Sequence, residues 1–336
     1  MRVGPSIGPV VAGGAVALQS DGKIVVAGWS EKGQHDMLVF RLDADGTIDS
    51  SSGIDGQATT ASFSATRNDE ALDVAVQTDG KIVVAGWADG KKAHDFAVER
   101  LLADGTLDTT FSGDGRVMFD FGFGTVTTGF NDEAKSVAIR ADGKIVVAGR
   151  AYDGSNDDVG VARLLAGGSL DGAFGGDGLV TLSFGASTDS GEGVAAVANN
   201  RILVAASTFV TTSKVGLARL LPGGGLDSTF DGDWKRTIAF SAPSFCAGLV
   251  IQGDGKAVVL GGTGSMFAFA RVSTSGGLDT SFSGDGKRTI TPPAGLTDNP
   301  ADVAIVSGKI VAAGSRRRDE PGPVDAIDFL AIRLLA

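Results

Sequence analysis

His35 and His94 are the only two histidines of the chain, and each is followed at once by an aspartate, Asp36 and Asp95. An imidazole beside a carboxylate can hold a metal ion or move a proton near neutral pH. Each His-Asp pair also lies shortly after a tryptophan, Trp29 or Trp87. An indole next to polar groups can stack on a sugar ring or anchor a peptide. Arg150 occupies the tryptophan position in a third, parallel stretch, with Tyr152 close behind it. Arg316 and Arg317, within the run Arg316-Arg-Arg318, could hold an anion. Trp29, His35, Trp87, His94, Arg150, Tyr152, Arg316 and Arg317 are therefore the candidate binding residues.

Metal binding is not the expectation. The two His-Asp pairs occupy equivalent places in successive copies of a repeat, so they point the same way and lie a whole sheet apart. Asp recurs without His at Asp158 and Asp328, which reads as the Asp capping a strand and the His being incidental. Each Trp can equally cover the end of its own hydrophobic layer. The arginine triple, beside Asp319 and Glu320, can equally be a solvated loop. No metal or cofactor is expected, and no catalytic residue. There is no Ser-centred elbow, no histidine placed to activate a nucleophile and no phosphate-cradling loop. Glu99, which replaces Phe40, Ala162, Ala218, Ala270 and Ile332 of the other copies, reads as a solvated or paired acid. Asn68-Asp-Glu70 and Asn131-Asp-Glu133 repeat ahead of a strand, which favours a loop-closing role. Cys246, the single cysteine, sits in the apolar stretch Phe245 to Leu249 and reads as a core or loop thiol.

These residues must be positioned by the repeat that contains them. The frame Val74-Ala-Val-Gln-Thr-Asp-Gly-Lys-Ile-Val-Val-Ala-Gly86 recurs from Val16, Val137, Val194, Leu249 and Val303, six copies in all. Each is followed by an apolar run ending in an arginine, at Arg41, Arg100, Arg163, Arg219, Arg271 and Arg333. That period is too long for a helical pair and suits a small antiparallel sheet. Within one copy four strands can be read, Val74 to Gln77, Lys81 to Ala85, Phe96 to Leu101 and Arg116 to Phe121. Asp79-Gly80 supplies the positive φ angles of a tight two-residue hairpin, and Asn199-Asn200 is expected to keep the same geometry in the fourth copy. The second strand is apolar without alternation, so both of its faces should be buried between stacked sheets. The expected fold is all-β, a six-bladed β-propeller with four antiparallel strands per blade. The chain ends after a third strand, and Arg2-Val3 matches the start of a fourth strand. Arg2 to Ile7 is therefore expected to complete the last blade beside Ile327 to Leu334 and close the ring.

Asp49, Asp108, Asp171, Asp227 and Asp279 repeat in the loop after the third strand. Asp43 to Asp49 has the spacing of an oxygen-ligand loop, but later copies replace most of those ligands with Gly and Ser. A turn cap or an ion pair with the repeated Arg is the better reading. The combination of Asp79 to Gly86, Phe96 to Leu101 and Asp104-Gly-Thr-Leu-Asp-Thr-Thr-Phe-Ser-Gly-Asp-Gly115 resembles the bacterial delta-60 β-propeller repeat, with an NHL-like blade order. The likeness is specific in copies two, three and five, weakens at Asp231-Gly-Asp-Trp234 and is lost in the sixth. It implies a propeller, often within secreted or surface proteins of bacteria, and it implies no activity.

The formal net charge is −11, which argues against a nucleic-acid partner. No apolar run is long enough for a membrane span, and the N-terminus shows no signal-peptide pattern. Residues 1–336 are expected to form a single domain and a monomer. The expected function is a noncatalytic propeller scaffold that presents its variable loop face to a protein or glycan, extracellular or at a cell surface. The alternative is a hydrolase or lyase with a site at the mouth of the central channel, built from Asp69, Asp132, His35 or His94.

Overall fold

The computed structural model describes residues 10–31, 34–53, 57–59, 63, 67–90, 93–122, 131–185, 187–209, 211–318 and 327–334. These form six antiparallel sheets in chain order. The first holds β1 (Val10–Leu18), β2 (Ile24–Glu31), β3 (His35–Leu42) and β4 (Gln57–Thr59). The second holds β5 (Asp69–Val76), β6 (Ile82–Asp89), β7 (His94–Leu101) and β8 (Arg116–Phe119). The third holds β9 (Glu133–Ile139), β10 (Ile145–Tyr152), β11 (Asp157–Leu164) and β12 (Leu179–Leu182). The fourth holds β13 (Asp189–Val197), β14 (Arg201–Phe209), β15 (Ser213–Leu220) and β16 (Lys235–Ile238). The fifth holds β17 (Ser244–Ile251), β18 (Ala257–Thr263), β19 (Met266–Val272) and β20 (Lys287–Ile290). The sixth holds β21 (Leu296–Val306), β22 (Lys309–Arg318) and β23 (Ile327–Leu334). Strands follow one another as neighbours in every sheet, and the fold is a six-bladed β-propeller with no α-helix among the described residues. The Arg2 to Ile7 strand expected to complete the sixth sheet lies outside the described residues.

The chain divides into two compact units, residues 1–182 with the first three sheets and 183–336 with the last three. Within each unit the first strand of a sheet packs on the sheet before it, β5 on the first and β9 on the second, β17 on the fourth and β21 on the fifth. The second strands lie between apolar layers, which is why they do not alternate. In β6, Val83 and Ala85 join the layer shared with the third sheet, while Ile82 and Val84 join the layer shared with the first.

The hairpins correct one expectation. In the second sheet Gln77 N donates to Lys81 O and Gly80 N to Gln77 O, and Gly80 alone has a positive φ, 85°. This is a three-residue loop, a type I turn closed by glycine in the left-handed region. Asp79 instead spends its side chain accepting the Lys81 N–H at 3.2 Å. The fourth sheet does not keep that geometry. Asn199 and Asn200 have φ of 60° and 58°, a mirror-image type I′ turn set within a loop that still has three residues, since Val197 pairs with Arg201. In the sixth sheet Ser307 and Gly308, at 49° and 75°, form a two-residue hairpin between the paired Val306 and Lys309.

A second feature shapes the opposite end of each sheet. The pairing of β5 with β6 slips between Ala71 and Asp73, and that of β9 with β10 slips where Ala148 gives way to Gly149. These are bulges in the first strand. A Cβ on Gly86 or Gly149 would overlap the carbonyl oxygen of Glu70 or Glu133. Gly86 and Gly149, which end two of the Val-Val-Ala-Gly runs, are thus required by the close approach of the neighbouring backbone.

Candidate functional site

The strands run further than their apolar cores suggest. Trp29 and Trp87 lie inside β2 and β6, and His35 and His94 begin β3 and β7, so these residues stand on strands rather than on loops. Trp29 pairs with Met37 and Trp87 with Phe96, which puts each histidine diagonally across from its tryptophan on the same face. The rings stack, Trp29 on His35 at 4.0 Å and 17°, Trp87 on His94 at 3.7 Å and 7°.

Each histidine then meets a glutamate of the next sheet. Nδ1 of His35 lies 2.5 Å from Oε1 of Glu70, and Nδ1 of His94 lies 3.3 Å from Oε1 of Glu133. These carboxylates stand one pair beyond the bulges in β5 and β9, with Glu70 opposite Trp87 and Glu133 opposite Arg150. Arg150 reaches the same Glu133 oxygen from its own sheet at 2.9 Å, and Asp157 at 3.5 Å. Burial pushes the Glu133 carboxyl up, but the His94 hydrogen bond and the charge of Arg150 outweigh it and hold it below its ordinary value. The result is one row across three sheets, in which each glutamate stands between the histidine of one sheet and the Trp or Arg of the next. The histidines are half-buried, and Trp87 is buried at 8% exposure beneath its imidazole.

The histidines are therefore not incidental, which corrects the sequence reading. That reading treated His-Asp as the unit, while the partner is a Glu about one sheet further along the chain. The signal was available in Asn68-Asp-Glu70 and Asn131-Asp-Glu133, each following one of the two histidines. The first two residues of those triplets do close the seam. Asn68 Oδ1 accepts the His35 N–H at 3.0 Å, and Asn131 Oδ1 accepts that of His94 at 3.3 Å. Asp69 accepts the Met37 and Phe63 N–H groups, and Asp132 those of Tyr152 and Phe121. Both oxygens of each aspartate are occupied by backbone. Burial raises Asp132 above its ordinary value. It also lifts Asp95 to about 6, reinforced by the negative charges of Asp120 and Asp132.

Of the remaining candidates, Tyr152 ends β10, half-buried. Arg316 is committed to a two-pronged bond with buried Asp298 at 2.6 and 2.8 Å, while Arg317 is exposed at the end of β22. Both belong to the second unit. Among the described residues no group of three or more His, Cys, Asp or Glu side chains is gathered as a metal site.

The other end of the sheets carries the repeated Arg and Asp. Arg41, Arg100, Arg163, Arg219 and Arg271 give Nε to Asp49, Asp108, Asp171, Asp227 and Asp279 at 2.6–2.8 Å. Four of the five guanidinium groups, those of Arg100, Arg163, Arg219 and Arg271, lie over Phe111, Phe174, Phe230 and Phe282 at 4.7–4.9 Å. Arg41 and Arg100 also bond the Ala103 and Ala166 carbonyls of the following sheet. A third partner went unnoticed in the sequence. The basic residue after the hairpin, Lys23, Lys81, Lys144, Arg201 or Lys256, reaches the same Asp at 2.7–3.2 Å. Burial pushes Asp108 up, but bonds from Thr110 and Lys81 and the charge of Arg100 hold it down to about 2. Both alternatives raised for these aspartates hold together, since each caps its turn and pairs with its arginine.

The family model described as a domain of unknown function (DUF5122) beta-propeller matches residues 19–51, 77–111, 140–174 and 198–230. The chain is a propeller of delta-60-like repeats, similar to this family over those four segments. In the second sheet the matched segment runs from Gln77 to Phe111, from the hairpin to the phenylalanine under the arginine, so the family signature of this delta-60 propeller coincides with the Lys–Arg–Asp–Phe cluster. No curated protein sequence matches the chain. Among solved structures it is similar to a protein of unknown function from Dyadobacter fermentans, at 11% identity and a TM-score of 0.54, over 97% of this chain and 95% of that one. It is also similar to a catalytically inactive virginiamycin B lyase from Staphylococcus aureus with quinupristin, at 12% identity and a TM-score of 0.50, over 95% and 84%. The polysaccharide lyase Uly1 matches at 13% identity and a TM-score of 0.50, over 96% and 76%. Likeness at this identity establishes the fold.

Proposed function

We propose that the protein is a noncatalytic propeller scaffold, a module of a secreted or surface bacterial protein, and that the row Trp29–His35–Glu70, Trp87–His94–Glu133–Arg150 is its recognition surface. The carrying observation is that this polar grouping is built twice on rigid strands, backed by tryptophan and tied by hydrogen bonds before any ligand arrives. Such preorganisation lowers the ordering cost of binding. A hydrogen-bonding unit repeated from sheet to sheet suits a ligand that also repeats, which favours a glycan over a folded protein. The indoles act as backing here, since their faces are covered by imidazole.

A lyase or hydrolase is the second reading. It is favoured by His35, whose Nδ1 is held by Glu70 as a positioned base would be, and by two lyases among the similar structures. A glycan array on the purified protein, followed by titration of the best hit, tests the first reading. Glu70→Gln and Glu133→Gln are each expected to weaken that glycan by about tenfold, the scale of a charge-assisted hydrogen bond. Release of an unsaturated sugar from the hit, abolished by His35→Ala, would replace the scaffold with the enzyme.

A further inference from the structure

A cleft of about 600 Å³ opens in the second unit, at the hairpin end, where the fourth sheet meets the fifth. Its origin lies in one register position. The residue leading into each Asp-Gly hairpin is long and polar, Gln19, Gln77, Arg140 or Gln252, and its N–H donates to the carbonyl four residues on. Gln19 is buried and extends its amide to the Gly80 carbonyl of the next sheet at 3.3 Å. In the fourth sheet the same register position, opposite Arg201, holds Val197. A valine cannot bridge to the neighbouring sheet, and the space stays open.

The lining is chemically lopsided. Val197, Leu203, Phe230 and Ile251 supply apolar walls, and the lining contains arginine but no carboxylate. Arg219 is spent, with Nε on Asp227, Nη2 on Thr229 Oγ1 at 3.0 Å and Nη1 on the Thr274 carbonyl. Arg201 differs. Its Nε reaches Asp227 at 2.9 Å, and among the described residues its two terminal nitrogens have no partner. Two arginines against one aspartate leave one positive charge. Arg201 also stands where the five other sheets have lysine, and only a guanidinium can hold Asp227 with one edge while offering two parallel donors along another.

We propose that this cleft binds a small monocarboxylate with an apolar body, the carboxylate on the Arg201 terminal nitrogens and the body over Val197, Leu203 and Ile251. The volume and the mostly apolar lining are those of a small-molecule site, and the paired donors match a carboxylate.

The test is calorimetric titration with 3-phenylpropanoate, its neutral amide and inorganic phosphate. The carboxylate is expected to bind at submillimolar concentration and the other two at least about tenfold more weakly, because each lacks half of the complementarity. Arg201→Lys installs the residue of the other hairpins and should weaken the carboxylate by about tenfold. Val197→Gln installs the residue of the first, second and fifth sheets, fills the space and should abolish binding. The proposal is overturned if phenylpropanoate does not bind, if the amide or phosphate binds as well, or if both variants retain full affinity. The ligand comparison needs no variant, so a misfolded substitution leaves it decidable.

Discussion

At the hairpin end of the sheets a basic residue, an arginine and an aspartate recur five times with nearly the same bonds, four of them over a phenylalanine. At the opposite end the Trp–His–Glu grouping is complete twice, becomes Arg150–Glu133–Asp157 in the third sheet and then ceases. Both ends tie neighbouring sheets with charged side chains, the hairpin end through arginine-to-carbonyl bonds and the opposite end through His–Glu pairs, so a charged contact between sheets does not by itself explain why one is uniform and the other is not. The difference lies in what each group holds. Asp108 is 2% exposed and has Arg100 and Lys81 on one oxygen and Thr110 on the other, so losing any partner strands a buried charge. His94 is half-buried, and the seam beneath it is already closed by Asn131 and Asp132 through backbone bonds. The hairpin end must be as it is for the sheets to stack. The opposite end is free to vary, and a surface that can vary is where recognition is expected.

That contrast breaks most readily at Asp108. Asp108→Ala leaves Arg100 buried without its partner and should cost about 3–5 kcal/mol, read as a fall in the urea midpoint. A loss below about 1 kcal/mol would remove the distinction between the two ends. Next in size, Gly86→Ala drives a methyl into the Glu70 carbonyl and should cost about 1–3 kcal/mol as overpacking. Because the displaced carbonyl belongs to Glu70, whose carboxylate meets His35, it should also weaken whatever the row binds, and a stability loss with unchanged binding would separate this backbone approach from the site.

Glu99 sharpens the comparison, because it lies on β7 between His94 at one end and Arg100 at the other. It is fully buried, with Arg116 Nε at 3.2 Å from one oxygen and, among the described residues, no partner for the other. The sequence left it as solvated or paired, and it is paired. Burial, only partly countered by Arg116, raises its pKa from 4.5 to about 8. The folded protein therefore keeps the proton that the unfolded chain loses between those values. The stabilisation is complete below pH 4.5 and is lost as pH rises through 8. Over that window the wild type should lose stability relative to Glu99→Gln by about 1 kcal/mol per pH unit. Parallel curves for the two proteins would show that Glu99 ionises freely. The smallest stability effect belongs to His35→Ala, expected below about 1 kcal/mol because its stacking and ion pair are half-exposed. A cost as large as that of Asp108→Ala would make the row structural and end its reading as a recognition surface.

Much of the scaffold was legible in the chain because its determinants are local. Asp-Gly before a Val-rich run specifies a hairpin, an unbroken apolar strand specifies burial on both faces, and an Arg followed by Leu-Asp and Phe at fixed spacing announces a cluster within one repeat. The His35–Glu70 contact was not legible in the same way. Its members stand in different copies, and nothing in the spacing of one copy says which residue of the next will face it. The lysine of Asp-Gly-Lys was missed for a milder reason. It and Asp108 share one repeat but are separated by two strands, and only antiparallel pairing brings them together.

The residues themselves determined the six-fold repeat, the all-β class and the hairpin-end ion pairs, since these follow from turn chemistry, apolar patterning and charge within a single copy. Only the tertiary structure decided that the histidines meet glutamates across a seam, that Asn199-Asn200 makes a different turn from Asp-Gly, and that Val197 leaves a cleft beneath Arg201. Those outcomes depend on how one sheet is set against the next, and that distance is fixed by packing between copies.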